Sequence, residues 1–297
     1  MFYDPIWYHH MVSILLLPTS LLYATGMLIR RKVAKRKRYA VPIISVGNLV
    51  IGGSGKTPLV IALADALINK KITIISRGYG RQSSGMVEVS RDGEVICGVG
   101  QSGDEAMLMA LSLPEASIIV SEDRALAIEL AIDQGAELVI LDDGFNRVEI
   151  EKFEILLEPV LLANFMPLPS GPFREFAFSK KYADMMLRDG ADFERVVSFE
   201  NLQNRMLLVT AIADPKRLDP YLPEGIIKKV YLKDHAYFDK SKLEELLQKN
   251  RADSLLVTGK DLVKIEDYDL PISKMKLKLR LKDSIIPQIE AYIKGKR

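Results

Sequence analysis

A glycine-rich segment between an apolar strand and a helix constrains the fold of this 297-residue chain more than any other feature. Residues 42–46 (PIISV) predict a buried strand. Residues 58–67 predict a helix with Pro58 in its first turn, where proline is tolerated. The sequence GNLVIGGSGKT, residues 47–57, joins the two. Backbone N–H groups in such a turn point towards phosphate oxygens, and glycines leave room for that approach, so the segment predicts a phosphate-binding loop.

The loop supplies candidate nucleotide and metal ligands. Lys56 is expected to reach the β- and γ-phosphates of a nucleoside triphosphate, and Thr57 is expected to hold Mg²⁺. The usual spacing of this motif puts another glycine five residues before Gly55, where this chain has Val50. The predicted nucleotide-binding set in the loop is Gly52, Gly53, Ser54, Gly55, Lys56 and Thr57.

A pair of carboxylates extends the predicted metal site. The apolar run LVIL predicts a buried strand, and Asp142 and Asp143 follow it directly. A carboxylate at the tip of such a strand binds the Mg²⁺ that Thr57 holds, either directly or through water. The sequence leaves open which aspartate lies nearer to the metal. Arg77 and Arg124 are candidate phosphate contacts, because a guanidinium suits phosphate geometry.

Strand-like and helical segments alternate along the rest of the chain. Before residue 200, strands are predicted at 72–75, 87–89, 95–97, 117–120 and 138–141, and helices at 104–111 and 125–134. After residue 200, strands are predicted at 206–210, 228–232, 254–258 and 275–281, and helices at 240–249 and 284–292. Such alternation indicates parallel sheets covered by helices. We therefore expect an α/β fold with a P-loop NTPase-like parallel-sheet domain at 39–200 and a smaller α/β domain at 201–297.

Positive charge is concentrated in one short segment. The formal net charge is +2, but residues 30–38 hold seven Lys and Arg residues and no acid, and subtracting these leaves −5 for the rest. The positive charge is therefore local, and we expect no nucleic-acid partner. Cys97 is the one cysteine, which excludes an intramolecular disulfide and a cysteine-based zinc cluster.

An uncharged run, residues 11–29, precedes the basic segment and predicts a membrane-associated helix with a basic collar at 1–38. As a helix this run would extend about 28 Å, close to the thickness of a bilayer's hydrocarbon core. Basic residues on its C-terminal side place that side in the cytoplasm and attract anionic headgroups. Spanning, lying in the interface and packing as a core helix all stay open, because Pro18 and Gly26 interrupt the run. A cleaved signal peptide is disfavoured, since its basic residues would come first.

Several motifs in the same order resemble the tetraacyldisaccharide 4'-kinases, the lipid A kinases of Gram-negative bacteria. The resemblance runs from about residue 7 to residue 264. In the first half it rests on the loop at 46–58 and on SRGYGR (76–81), GDE (103–105), LDDGF (141–145) and PSGPFRE (169–175). In the second half AIADP (211–215), DH (234–235) and TGKD (258–261) match more loosely. The apolar N-terminal segment with its basic tail is also a family feature.

The resemblance implies a reaction and its catalytic groups. The γ-phosphoryl group of ATP, with Mg²⁺, would pass to the 4'-hydroxyl of a tetraacyldisaccharide 1-phosphate, giving lipid IVA in lipid A biosynthesis. The enzyme would lie at the inner membrane, in contact with its phospholipids, with catalytic domains on the cytoplasmic face and no obligate protein partner. The catalytic residues would be Asp104, His235 and Lys56. Asp104 and His235 would form a dyad in which Asp104 either takes the proton or orients the imidazole. The candidate substrate residues are Asn48, Arg174 and Glu175.

Three residues, at two places in the sequence, depart from the family pattern. After LDDGF the family usually has Gln-His, where this chain has Asn146 and Arg147. Gly259 replaces the glutamate of the family's Thr-Glu-Lys-Asp. Any role of that histidine or glutamate is therefore not transferred to this chain, and Arg147 becomes a candidate phosphate contact.

Three other function classes compete with a lipid kinase. A membrane-bound partitioning or switch ATPase usually carries a second lysine in its loop, where this chain has Ile51. A GTPase would show Asn-Lys-x-Asp, which TGKD does not supply. A nucleotide-binding scaffold without chemistry would lack the dyad, whereas Asp104 and His235 are both present. The sequence therefore favours the lipid kinase.

Overall fold

The computed structural model describes residues 7–52, 55–158 and 164–296, with the backbone alone at residues 7 and 8. The chain divides into two compact units, each built from separate stretches of sequence. The first unit comprises the described residues of 1–75, 128–194 and 281–297, and the second comprises 76–127 and 195–280. The expected domain boundaries at 38/39 and 200/201 stay a prediction.

The described helices and strands follow the expected alternation. The helices are α1 (Trp7–Leu15), α2 (Leu17–Val33), α3 (Lys56–Ala66), α4 (Val99–Ser102), α5 (Asp104–Ser112), α6 (Arg124–Asp133), α7 (Lys240–Asn250), α8 (Gly259–Leu262) and α9 (Ile285–Gly295). The strands are β1 (Ile43–Gly47), β2 (Ile72–Ser76), β3 (Val87–Arg91), β4 (Glu94–Val95), β5 (Ser117–Val120), β6 (Leu138–Asp142), β7 (Phe153–Leu157), β8 (Met185–Leu187), β9 (Phe193–Glu200), β10 (Met206–Thr210), β11 (Ile226–Tyr231), β12 (Ser254–Thr258) and β13 (Ile272–Leu281). Short 3₁₀ helices lie at Ala177–Tyr182, Pro215–Tyr221 and Glu266–Tyr268. Every predicted strand and helix after residue 40 is present within a few residues of its expected bounds.

The first unit is organised around parallel strands in the order β2-β6-β1-β7-β8. β1, β2 and β6 are buried at every position, as continuous apolar runs predict for strands covered on both faces. β1 lies between β6 and β7. The loop after β1 and the aspartates at the end of β6 therefore emerge at the same edge, where open parallel sheets bind ligands.

The second unit contains β3, which pairs antiparallel with β4 and β5, and a separate sheet in the order β11-β10-β12-β13-β9. In that sheet β10 pairs in parallel with β11 and β12, and β12 pairs in parallel with β13. Apolar side chains of β10, β12 and α7 form its core. Helix α8 follows β12 directly, and the segment with His235 follows β11, which pairs with β10.

Buried charge explains why β7 escapes prediction from the sequence. Glu154 interrupts its apolar pattern, yet the side chain is almost fully buried beside Lys152, with 2.8 Å between the ammonium and the carboxylate. Lys152 also donates to the carbonyl of Arg147 at 2.5 Å. Burial lowers the pKa of Lys152 and raises that of Glu154, and each partner opposes the shift of the other. A hydropathy pattern registers only the charges and not their pairing.

The N-terminal apolar run forms two helices where the sequence predicts one. α1 ends at Leu15 and α2 begins at Leu17, with Pro18 in its first turn. Among the described residues no helix alone has the length and hydropathy to cross a membrane. His9–Leu15 and Leu17–Val33 meet those criteria only as a pair, and that pair is bent by 59°.

Candidate active site

The glycine-rich loop leads from β1 into α3 in the first unit. α3 begins at Lys56, directly after Gly55, whose φ of 83° is left-handed. Gly52 has a φ of 104°, so both positions favour glycine. Gly53 and Ser54, two predicted nucleotide contacts, lie outside the described residues. The first N–H groups of any helix lack partners within it, so the start of α3 suits an anion.

Lys56 is held between two polar side chains. Its Nζ donates to Oδ1 of Asn48 at 3.1 Å and lies 3.4 Å from Oδ1 of Asp143. Asn48 follows β1 and Asp143 follows β6, so two neighbouring strands supply the partners. Asn48, a predicted substrate residue, is buried and contacts the lysine of the loop. These contacts orient the ammonium group towards the loop's end of the sheet.

Asp143 is paired on a second side as well. Nη1 of Arg174 donates to its two carboxylate oxygens at 3.0 and 2.8 Å. Burial alone would raise the pKa of Asp143, but the charges and hydrogen bonds of Lys56 and Arg174 lower it below its usual value. The φ of Asp143 is 55°, a strained backbone conformation of the kind that clusters at functional sites. The structure thus brings together four of the predicted site residues, Asn48, Lys56, Asp143 and Arg174.

Backbone pairing brings Arg174 to the loop. The N–H of Arg174 donates to the carbonyl of Leu49 at 2.8 Å. The N–H of Ile51 donates to the carbonyl of Pro172 at 2.9 Å. The PSGPFRE segment, which the resemblance assigned to the substrate side, therefore lies against the first residues of the loop.

Val50, which stands where the loop motif usually has its first glycine, has a packing role. Val50 is 2% exposed and bridges to Phe173. The apolar cluster around it consists of Leu49, Val50, Phe145, Leu156 and Phe173. This side chain points into the protein core, so the glycine of the usual motif is dispensable here.

Thr57 and Asp142 carry the oxygen atoms that a magnesium ion would need. Both are buried, Thr57 in the first turn of α3 and Asp142 at the end of β6. Asp142 lies opposite Val46 in the β1–β6 register, one residue before the loop. Mg²⁺ in nucleotide sites takes one or two protein carboxylates and fills its shell with water and phosphate. Within residues 7–52, 55–158 and 164–296 no three His, Cys, Asp or Glu side chains gather around a metal position, and this small donor set fits Mg²⁺ bound with a nucleotide.

Glu175, another predicted substrate residue, forms a buried ion pair with Arg31 of α2. The guanidinium donates to Oε1 at 2.8 Å and to Oε2 at 3.0 Å, and neither side chain is more than 3% exposed. Arg31 also donates to the carbonyl of Phe145 at 3.0 Å and stacks over its ring. Arg31 therefore faces the protein interior, although the sequence grouped it with the basic residues expected to meet lipid.

Asp104 and His235 meet in the second unit, 131 residues apart in the sequence. Nδ1 of His235 lies 2.9 Å from Oδ1 and 3.1 Å from Oδ2 of Asp104. Asp104 is the first residue of α5, whose N-cap is Gly103 and makes no side-chain hydrogen bond. Gly103 has a φ of 82°, and a Cβ there would lie 2.8 Å from the carbonyl oxygen of Tyr79. Both carboxylate oxygens of Asp104 therefore lie within hydrogen-bond distance of His235.

His235 is held in a strained and enclosed position. Its φ is 60°, and its N–H donates to the carbonyl of Ala211, just after β10, at 3.0 Å. The ring of Tyr79 lies 4.7 Å from the imidazole, centroid to centroid. A Cβ on Gly80 would come within 3.2 Å of the His235 side chain. The imidazole is therefore fixed by its backbone and by the neighbouring SRGYGR segment.

Two lysines that the sequence did not single out complete the surroundings of the pair. Nζ of Lys264 lies 3.2 Å from Oδ2 of Asp104. Nζ of Lys260 lies 3.3 Å from Nε2 of His235 and 3.2 Å from Oε1 of Glu105. Burial alone would raise the pKa of Asp104, but the hydrogen bond from His235 and the charges of Lys260 and Lys264 lower it. The sequence signal for these two lysines is the TGKD motif, which contains Lys260, and Lys264 just after it.

Arg77 and Arg124, which were both predicted to contact phosphate, have different surroundings. Arg124 is buried, and its Nη1 donates to the carbonyl of Ser76 at 2.6 Å and to that of Ser121. Arg77 is exposed. Arg124 therefore anchors the chain where β2 and β5 end, and Arg77 is accessible to a ligand.

The two departures from the family pattern lie in different surroundings. Arg147 is half-buried, with Nη1 3.9 Å from Oε1 of Glu149. Gly259 opens α8, and a Cβ there would lie 3.2 Å from Cδ1 of Leu108. The glycine therefore permits a close contact between α8 and α5.

Comparison with known proteins identifies similar chains over nearly the full length. The family model described as "Tetraacyldisaccharide-1-P 4'-kinase" matches residues 12–294. A tetraacyldisaccharide 4'-kinase of Helicobacter pylori (strain HPAG1) is 45% identical over 293 residues, covering 98% of this chain and 93% of the relative. One from Campylobacter jejuni subsp. jejuni is 41% identical over 297 residues, covering 99% and 94%. Among solved structures, LpxK from Aquifex aeolicus, an "apo" form in complex with ATP, has a TM-score of 0.80 at 28% identity and covers 96% of this chain and 99% of that one.

Proposed function

This chain belongs to the tetraacyldisaccharide 4'-kinase family, and from that premise we propose how its residues carry out the reaction. It is a kinase of lipid A biosynthesis that phosphorylates the 4'-hydroxyl of a tetraacyldisaccharide 1-phosphate at the expense of ATP. The α/β fold and the activity that the sequence predicted are thereby confirmed. The assignment of roles to individual residues is the proposal.

ATP binds with its phosphates at the start of α3. The N–H groups there meet the phosphate oxygens, and Lys56 meets the β- and γ-phosphates. The support is the position of Lys56, which lies between Asn48 and Asp143 at the edge where β1 and β6 end. Arg174 keeps Asp143 paired when the lysine turns to the nucleotide. The aspartate is therefore not left as an uncompensated charge.

Thr57 and Asp142 would hold Mg²⁺, which when bound neutralises charge on the β- and γ-phosphates. We assign the carboxylate ligand to Asp142 because Asp143 is already paired with Lys56 and Arg174. Asp142 is the last residue of β6, and this position at the tip of the strand also supports Asp142 as the ligand.

His235 accepts the proton of the 4'-hydroxyl at Nε2, and Asp104 orients the ring. The contact between Asp104 and Nδ1 of His235 is the observation that carries this mechanism, because it leaves Nε2 as the nitrogen that can receive a proton. Direct proton abstraction by Asp104 is less well supported, since its oxygens already face His235 and Lys264. The lowered pKa of Asp104 points the same way, because a stronger acid is a weaker base.

We place the enzyme at the cytoplasmic face of the inner membrane through α1 and α2. Apolar side chains of these helices are strongly exposed, with Leu15 at 79%, Leu22 at 77% and Ile14 at 72%. The exposed basic residues that follow include Lys32, Lys35, Arg36 and Arg38. An apolar surface bordered by cations binds anionic phospholipids, and the acceptor of the reaction is itself a lipid.

Transfer of label from γ-labelled ATP to the lipid tests the proposed roles. The full chain in detergent is incubated with Mg²⁺ and tetraacyldisaccharide 1-phosphate beside Lys56→Ala and, as control, Lys242→Met, whose side chain is 79% exposed on α7. We expect wild type and control to label the lipid at equal rates and Lys56→Ala to be slower by at least about 100-fold, since it removes a charged donor from the transferred phosphate. ATP hydrolysis without labelled lipid would instead support a switch ATPase.

A further inference from the structure

We propose that Lys260 is a positioning residue that keeps Nε2 of His235 without a proton, so that the imidazole can accept one from the substrate. This inference rests on the proposed role of His235 as the base. It assigns a task to a side chain that neither the loop motif nor the dyad includes.

The contacts of the imidazole define its protonation state. A lysine ammonium has three donors and no acceptor, so a hydrogen bond to it requires a lone pair on the partner. Nζ of Lys260 lies 3.3 Å from Nε2 of His235, which must therefore be the accepting nitrogen. The ring proton then lies on Nδ1, where the carboxylate of Asp104 accepts it. Both contacts select the same neutral tautomer. The substrate hydroxyl needs the same lone pair on Nε2, so the ammonium moves off Nε2 when the hydroxyl binds and stays paired with Asp234 and Glu105, 3.6 and 3.2 Å from its Nζ.

Without the lysine, the surroundings of His235 would favour a doubly protonated ring. Asp104 faces Nδ1, and Oδ2 of Asp234 lies 3.6 Å from Nε2. An imidazole between two carboxylates is stabilised as the cation, which cannot act as a base. Lys260 opposes this doubly protonated state. Its ammonium lies 3.6 Å from Oδ1 of Asp234, whose charge it neutralises, and it lies beside Nε2, where a second ring proton would be repelled. The positive charge of Lys260 thus offsets the negative charge of Asp234 at Nε2.

Lys260 is suited to remain charged in this position. Burial would lower its pKa, but the charges of Glu105, Asp104 and Asp234 raise it above the usual value. Its Nζ donates to Oε1 of Glu105 at 3.2 Å, which holds the long side chain in place. The raised pKa favours the charged ammonium form of Lys260.

The backbone that carries Lys260 is tied to the backbone that carries His235. Asp261, the next residue of α8, is fully buried and accepts from the hydroxyl of Thr210 at 2.6 Å and from the N–H of Ala211 at 2.9 Å. The carbonyl of Ala211 in turn accepts the N–H of His235. The same end of β10 thus fixes both partners, and rigid support of this kind is what a positioning contact requires.

Nitrogen NMR of ¹⁵N-histidine-labelled full-length protein in detergent tests the tautomer directly. His235→Gln assigns the signal among the three histidines of the chain. We expect the Nδ1–H neutral tautomer in wild type, in Lys260→Arg and in the exposed control Lys242→Met. In Lys260→Met and Lys260→Gln we expect the pH at which the ring becomes doubly protonated to rise by about one unit, which is a tenfold change in the protonation equilibrium.

The pH dependence of phosphoryl transfer supplies the second readout. The acid limb of kcat should move to higher pH by the same amount in Lys260→Met, with recovery in Lys260→Arg and little change in KM. An Nε2–H tautomer in the wild type, or an unchanged titration in both neutral variants, would overturn the inference. If the wild type labels no lipid, the proposed function fails, and the NMR titration still decides the role of Lys260.

Discussion

Replacing Arg31 with methionine should destabilise the first unit strongly. The substitution keeps an apolar stem against Phe145 and Tyr182 but leaves Glu175 buried without its cation, at 3% exposure. Breaking a buried ion pair from one side costs about 3–5 kcal/mol, because the remaining charge is desolvated and uncompensated. For a cooperative unit of 150–250 residues this corresponds to a fall in Tm of roughly 6–20 °C.

A matched control lies one residue away on the same helix. Arg30 pairs with Glu149 at 3.3 Å, but both side chains are nearly half exposed. Pairs of this kind contribute about 0–1 kcal/mol, so Arg30→Met should melt close to the wild type. The two variants remove the same charge from α2, one from a buried ion pair and one from an exposed ion pair.

Thermal and urea unfolding of the full chain, followed by circular dichroism, measures both variants. The double variant Arg31→Met/Glu175→Met should recover most of the stability lost in Arg31→Met, since an apolar pair of similar volume substitutes for a buried ion pair. If Arg31→Met unfolds within about 1 kcal/mol of Arg30→Met, the reasoning from burial is refuted.

Two further predictions concern the same unit. Burial raises the pKa of Tyr292 to about 12, and its hydroxyl donates to the carbonyl of Ile43 at 3.1 Å. The pKa of tyrosine in the unfolded chain is 10.0. The stability that this group contributes is therefore complete below pH 10 and is lost as the pH rises through the pKa of the folded protein. Urea unfolding should therefore show wild type losing about 2–3 kcal/mol more than Tyr292→Phe across that window, and equal losses would contradict the assignment. Val50→Gly should lower the free energy of unfolding in urea by about 2–4 kcal/mol, because apolar burial is lost and the unfolded backbone gains freedom. Calorimetry should find the affinity for ATP unchanged. A large loss of affinity would show that Val50 contributes to nucleotide binding and not only to the core.

The nucleotide loop and the parallel strands were predictable because they depend on local sequence. Continuous apolar runs such as residues 138–141 form strands that are buried on both faces. A glycine such as Gly55 marks a position where the backbone is left-handed. Short-range patterns of this kind carry most of the fold. The strands β7, β8 and β9 were not predicted, and in β7 the pairing of Glu154 with Lys152 hides a buried strand behind a charged residue.

The contact between Asp104 and His235 was predictable only through resemblance to a family. Asp104 and His235 lie far apart in the sequence, and nothing in local periodicity brings them together. Lys260 and Arg31 were missed for a related reason, since their partners belong to other elements of the fold. A lysine in TGKD and an arginine in a basic cluster both suggest solvent exposure until their carboxylate neighbours are placed.

The central claim is that Asp104 and His235 act as one catalytic unit, and a double-mutant cycle on labelled-lipid formation tests it most directly. Asp104→Asn and His235→Gln should each slow transfer by about 10²–10⁴-fold, with ATP binding retained. Because the two residues act on the same proton, the double variant should be no slower than the slower single variant. Two rate losses that multiply in the double variant, or a His235→Gln enzyme that transfers phosphate at the wild-type rate, would contradict the account.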